Sequence, residues 1–589
     1  MAIAKKQILR ILDDTSPSDI KLKNLPRLPE SLHNCSFDEY GRIVKRKGHS
    51  KYNTDSLGAA HGITGIHRMY QQDFTKEFLV AWNTKWYKLA SATPWAGTAL
   101  LSKAATDFTT TADLQTHFIN FKNKAYIVNG IGMWKYDTTY VETVGITVPI
   151  APTSNSQING LLSTGNYKFK VTYVDTDGFE SNGGAASANI AAGANPNDGL
   201  KINIPVSADT KIAKRYIYRT VVDDYSTYYY DGAVDNNTTE TYDSTQADST
   251  LIAGTELHVN HTAPPTTPHL ICPRRSRICI ADDENLYISE IENEYFSAET
   301  FFPTGNKHKI TGLKEQLTTL PVFTPSSLER LTGYNSSTYN FKNAYSNEGC
   351  TAERSLCNCR NILVYLGNNG IYYFNGESGQ ELDIKLSKYV MTNINRTYKH
   401  LSVGVYFDNM YFLTYPKGAS TVPNETVYFD FNTKTTGVYN LGFSCYSIWD
   451  KGTDEYSLYG GSNTIGRVYH VFDGLNDDGA DITWYDDVQG VDLGMPDRYK
   501  AWYNIYIKVK TTSEATSTLK MYYTLDANTE HYVSKTLLAN TTAWYDIGFG
   551  ATGLRARSLA FKPWMSDKFA AEIQGYAIVF RLEPPKWGM

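Results

Sequence analysis

The sequence predicts an all-β protein: a β-propeller (six or seven blades) with an inserted immunoglobulin/fibronectin-III-like sandwich and a C-terminal β-sandwich. Three observations lead there. Tyrosine is the compositional outlier, with 44 residues beside 24 Phe and 10 Trp, and aromatic side chains favour pleated, half-buried strands. A short hairpin phrase recurs along the chain: an apolar strand, a Gly/Asn/Asp turn, then a strand led by an aromatic. Its spacing is roughly 40–50 residues, the period of a four-stranded propeller blade.

Residues 1–60 form an N-terminal segment of mixed character. In Leu25–Ser31, Pro26 and Pro29 hold the preceding residues extended. Next come the turn Asp38-Glu39-Tyr40-Gly41 and a basic strand with Arg42, Lys45, Arg46 and Lys47. That basic run reads either as a solvated strand end or as a contact to an acidic partner surface.

The hairpin phrase stands at Phe78–Leu89, Ala125–Tyr136, Ile278–Ser289, Leu363–Phe374, Val405–Leu413 and Leu458–Tyr469. Tyr87 to Trp134 is 47 residues, Tyr287 to Tyr372 is 85 (two steps), Tyr372 to Tyr411 is 39 and Tyr411 to Tyr469 is 58. The blades therefore occupy 61–149 and 265–484. Trp134 to Tyr287, at 153 residues, is too long for one blade. The excess, 150–264, is marked by proline at both ends and holds the alternating strands Gly165–Val174 and Arg215–Arg219, as expected of an antiparallel sandwich with one wet face. Residues 485–589 carry longer alternating strands at Trp502–Lys510, Leu519–Thr524 and Glu572–Arg581, which predict a separate β domain. One short helix is expected over Leu382–Met391.

Several classes are excluded. The net charge of −5 carries no basic excess, so the chain is not a generic electrostatic binder of nucleic acid. Glycine and proline, 43 and 21 residues, are near average usage, which excludes collagen and low-complexity chains. The seven cysteines are odd in number and imply reduced thiols and a cytosolic origin. The first residues do not read as a signal peptide, and no apolar run is long enough to span a membrane.

Motifs for chemistry are few. There is no His-Glu-x-x-His zinc motif and no Gly-x-Ser-x-Gly elbow. Gly461–Arg467 has phosphate-loop glycines but lacks the lysine and hydroxyl residue, and lies between strands, so it reads as a hairpin turn. Cys350, Cys357 and Cys359, with His308 and His400 far off, match no common zinc spacing and read as buried thiols. The acidic loop Asp473–Asp481 fails the EF-hand pattern at Gly474 and reads as a solvated turn. Trp449-Asp450-Lys451-Gly452 is similar to a sialidase-propeller turn with its hydroxyl residues misplaced. No paired carboxylates recur at blade starts. No catalytic, cofactor-binding or metal residue is assigned, no cofactor is expected, and no enzyme activity is expected.

The order of parts resembles the tail hub or nozzle proteins of short-tailed (podovirus-type) bacteriophages. The resemblance rests on Gly41-Arg42-Ile43-Val44-Lys45-Arg46-Lys47-Gly48, on Leu317–Gly333, on Tyr456–Gly461 with Val468–Asp473, and on the strands of 495–589. The 150–264 insert is a departure, since many members lack it. The resemblance implies a structural virion protein in the tail, made in the host cytoplasm: a homohexameric nozzle below the portal and adaptor proteins. It would be a conduit and gate for genome ejection and an attachment point for tail fibres or spikes, with genomic DNA passing through without specific binding and no stable membrane insertion. The mild acidity suits such a conduit, because a lysine-rich lumen would hold phosphates. The alternative is a carbohydrate-binding or glycan-cleaving β-propeller appendage.

Overall fold

The computed structural model describes residues 6–16, 20–53, 55–89, 98–102, 111–344, 346, 348–450, 456–512 and 516–584. Among them, seven sheets form the blades of a propeller, with innermost strands Ile63–Tyr70, His117–Phe121, Leu270–Arg274, Gly312–Leu313, Cys357–Cys359, Val403–Phe407 and Phe443–Asp450. These strands, helped by the short helix Glu353–Ser355, pack in succession, and the seventh returns to the first to close the ring. Each blade runs outward by antiparallel pairing, for example Ala125↔Tyr136 and Leu363↔Phe374.

Local chemistry explains the blades. Four of them turn from first to second strand through two residues with positive φ: Lys122-Asn123, Arg275-Ser276, Arg360-Asn361 and Asp408-Asn409. Two left-handed residues make the turn whose twist matches that of paired strands. Five recurrences of the hairpin phrase are second-to-third strand turns, whereas Val405–Leu413 is first-to-second. That shift, together with the helix Ile384–Asn393 between the fifth and sixth blades, accounts for the uneven 39- and 58-residue intervals. The helix starts where Asp383 accepts a hydrogen bond from Leu386 N–H at 2.7 Å. It buries Leu386 and Val390 against Leu366 and Leu413.

The N-terminal segment, 1–60, is divided between two bodies. Strand Gln7–Leu12 pairs antiparallel with Ala571–Leu582, and Ile11, Leu22, Leu25, Cys35, Phe37 and Ile43 share one core with Trp484, Trp502, Met521 and Phe561. Arg27 forks onto Asp486 at 2.6 and 2.8 Å. The C-terminal sandwich is thus built from both ends of the chain, and begins at Ile482 rather than at 485. Leu32–His33 pairs with both Ile482–Asp486 and the outer strand Thr436–Tyr439 of the sixth blade, so one sheet runs from ring to sandwich. Strand His49–Lys51 then supplies the fourth strand of the seventh blade.

The insert is a two-layered sandwich. Thr153–Ile158, Gly199–Asn203 and Thr241–Ser244 form one layer; Phe169–Asp175, Ile212–Val221 and Asp224–Val234 form the other. Phe169, Val171, Ile202 and Ile217 fill its core. Its contact with the ring is charged and buried. Lys135 of the second blade reaches Asp177 at 2.7 Å, Glu294 at 2.9 Å, Asp175 at 3.3 Å and Glu142 at 3.5 Å. Lys211 of the insert donates to Thr143 O at 2.8 Å and Gly145 O at 2.5 Å.

Candidate functional site

All seven blades face one channel, and the channel is plugged. The turn Ala352–Leu356, just ahead of the fifth blade, crosses it. Arg354 reaches the opposite side, donating to Ser444 O at 3.1 Å, Thr116 O at 3.3 Å and Thr64 O, which belong to the seventh, second and first blades. Glu353 accepts from His117 Nε2 at 3.1 Å. The turn is anchored behind: Ser355 OH donates to Ala352 O at 2.6 Å, and Ser355 O accepts from Tyr411 OH at 2.9 Å. Gly404 is required there, since a Cβ would stand 2.5 Å from Ser355 O.

The plug separates two spaces. One, about 420 Å³, is lined by residues of all seven blades or their leading turns, among them Gly65, His117, Cys272, Leu313, Val403 and Tyr446. The other, about 490 Å³, is lined by Asn129, Gly130, His269, Lys309, Glu353 and His400 with neighbouring residues. Burial alone would push the Glu353 carboxyl up, but the hydrogen bond and charge of His117, with Arg354 adjacent, hold it at about 2. His269, pushed down by burial, donates Nε2–H to Ile310 O at 2.7 Å, which leaves the lone pair on Nδ1. The charged groups of the plug are thus engaged by the chain's own carbonyls and side chains, an arrangement that braces blades against one another.

The stretches read from sequence fall elsewhere. Gly461–Arg467 is the hairpin from Tyr456–Ser462 to Val468–Val471, where Gly466 packs on Leu57. Cys350 and Cys359 are buried and Cys357 half-buried, all as thiols. His308 lies in the turn before the fourth blade and His400 at the rim of the larger chamber. Among the described residues no group of three or more His, Cys, Asp or Glu side chains is arranged to hold a metal ion. Trp449 packs against Phe78 with ring centroids 4.5 Å apart and the planes tilted by 38°, and Lys451 and Gly452 lie outside the described residues.

The acidic loop and the basic run, read separately in the sequence, meet. Arg46 forks onto Asp477 at 2.8 and 2.5 Å, and His49 reaches the same carboxylate at 3.0 Å. Lys51 pairs with Asp478 at 2.6 Å, and Ser50 donates to Asp473 at 2.6 Å. Lys45, buried, pairs with Asp567 at 2.7 Å. The acidic surface that the basic run contacts therefore belongs to the same chain, and this lock holds the closing strand of the ring. Glu353 and Arg354, between Cys350 and Cys357, belong to no motif and carry no sequence signal of their own.

No protein-family model matches the chain, and no curated protein matches it. Among solved structures, the Neurospora crassa Pan2 WD40 domain is similar at 8% identity, over 76% of this chain and 98% of that one, with a TM-score of 0.28. The extracellular domain of BT4673 from B. thetaiotaomicron is similar at 11% identity, over 85% and 80%, with a TM-score of 0.26. Both scores are low, and the propeller assignment rests on the closed ring of inner strands. No helix among the described residues is long and apolar enough to cross a membrane.

Burial around the ring sets a pH dependence. His67, on the first inner strand, donates Nε2–H to Asn120 Oδ1 at 2.9 Å and is pushed down by burial to about 4, as is His33. The folded state holds both imidazoles neutral, so their stabilisation is complete above about pH 6.5 and is lost as pH falls towards 4. Denaturation midpoints measured across that window are expected to fall, and His67→Gln to flatten the fall. An unchanged slope in the variant would refute the assignment to His67.

Proposed function

We propose that the chain is a structural virion protein, a tail nozzle or hub of a short-tailed bacteriophage, acting as an assembly part rather than an enzyme. The observation that carries this reading is the place of the segment Gly41–Gly48. It is the junction where the N-terminal chain leaves the C-terminal sandwich and enters the ring. Gly41 takes φ +74°, and at Gly48 a Cβ would stand 1.8 Å from Asn476 O. Between them, Lys45 and Arg46 are buried in ion pairs with Asp567 and Asp477. The segment that carries the family resemblance thus ties the ring to the sandwich, as a part that bears load in a tail requires. A closed ring also hides strand edges that would otherwise aggregate during assembly.

Because the plug fills the propeller's own channel, a genome conduit in this reading runs through the centre of a ring of copies. The rival, a carbohydrate-binding or glycan-cleaving appendage, draws on the open chamber beside Glu353. Subunit masses and electron microscopy of intact particles separate the two. The nozzle reading expects the chain in the tail tube, and its confinement to outer appendages would favour the rival.

A further inference from the structure

The chamber of about 490 Å³ on one side of the plug has a size common among small-molecule sites. Asn129, 5% exposed, lies in its wall at the turn Asn129-Gly130-Ile131. Its Oδ1 accepts from Ile131 N–H at 3.3 Å, while its Nδ2 has no acceptor among the described residues. A buried amide donor left without a partner is destabilising, so an acceptor arriving there is favoured. Lys309, an exposed residue of the same lining, brings an ammonium that no carboxylate pairs among the described residues. Glu353, the carboxylate of this lining, is already engaged by His117 at 3.1 Å, so the Lys309 ammonium is the charge left open to a ligand.

We propose that this chamber binds a small organic anion of the size of one acidic sugar, its carboxylate meeting Lys309 and the Asn129 amide. Hydroxyls of such a ligand find partners in His400 and in His269 Nδ1, whose lone pair is left free by the Nε2–H bond to Ile310 O. Binding here is independent of the assembly that the chain enters.

The test is calorimetric titration of the full chain with glucuronate, with glucose as the neutral probe of equal size. One saturable site per chain is expected for glucuronate, with glucose at least about tenfold weaker, a difference worth about 1.4 kcal/mol. Asn129→Ala and Lys309→Gln are each expected to weaken glucuronate by about tenfold or more. Lys309 is exposed, so its variant keeps the test valid if Asn129→Ala fails to fold. Absence of saturable glucuronate binding at millimolar concentration, equal binding of glucose, or unchanged affinity in Lys309→Gln would each overturn the proposal.

Discussion

Lys135→Met is expected to lower the unfolding free energy by about 3–5 kcal/mol and to release the insert from the ring. Lys135 is fully buried and is reached by the side chains of Glu294 at 2.9 Å, Asp175 at 3.3 Å and Glu142 at 3.5 Å. Removing one partner from a buried ionic group leaves uncompensated charge, which is where costs of this size arise. Burial already pushes the Glu294 carboxyl up, despite Lys135 and the hydrogen bond from Tyr126 OH at 2.7 Å. Without the lysine, the cluster takes up protons more readily in the folded state. The deficit of the variant is therefore expected to shrink as pH falls into the carboxylate range. Urea denaturation at two pH values measures this, and limited proteolysis near 145–152 and 260–265 reports release of the insert. A variant that keeps its midpoint would show that the cluster does not hold the insert.

The second large effect is at the ring closure. Asp477→Ala is expected to cost about 2–4 kcal/mol, because Arg46, with its side chain 2% exposed, loses both carboxylate oxygens. Gly48→Ala acts on the same strand from the other side, since its Cβ meets the Asn476 backbone; overpacking of this kind costs about 1–3 kcal/mol or more. Both variants are expected to raise amide hydrogen exchange in Tyr456–Val471, the two strands that lead to His49–Lys51, while the first to fifth blades keep their protection. Acid acts in the same direction. Burial would raise the Asp477 carboxyl, but Arg46 and His49 hold it at about 2, so its contribution is present above about pH 4 and is lost as pH falls towards 2. Uniform exchange across all blades in Asp477→Ala would contradict a local latch.

What could be read in the sequence follows from what is local. The hairpin phrase is encoded in neighbouring residues, with turns such as Asp408-Asn409 and strands such as Leu363–Leu366, so the blades and their period were legible. Prolines at 149, 152, 264 and 265 and the alternation of Tyr167–Val174 marked the insert for the same reason. The helix was legible from Leu386 and Val390, one turn apart. Illegible were the pairings that close the molecule: His49–Lys51 with Val468–Val471, and Gln7–Leu12 with Ala571–Leu582, join residues separated by most of the chain. Both charge runs, Arg42–Lys47 and Asp473–Asp481, were visible, but nothing in either specifies the other as partner. Nor does a lone Glu353-Arg354 ahead of a strand announce that it spans a channel; only the ring brings Thr64, Thr116 and Ser444 within its reach.

The most direct test of the tail reading is electron microscopy of intact virions, with subunit masses from the same particles. The account predicts a 66.1 kDa chain in hexameric copy number in the tail tube, each propeller plugged by its own Glu353–Arg354 turn and the lumen formed between copies. Absence of the chain from the tail, or its presence only in outer appendages, would contradict it.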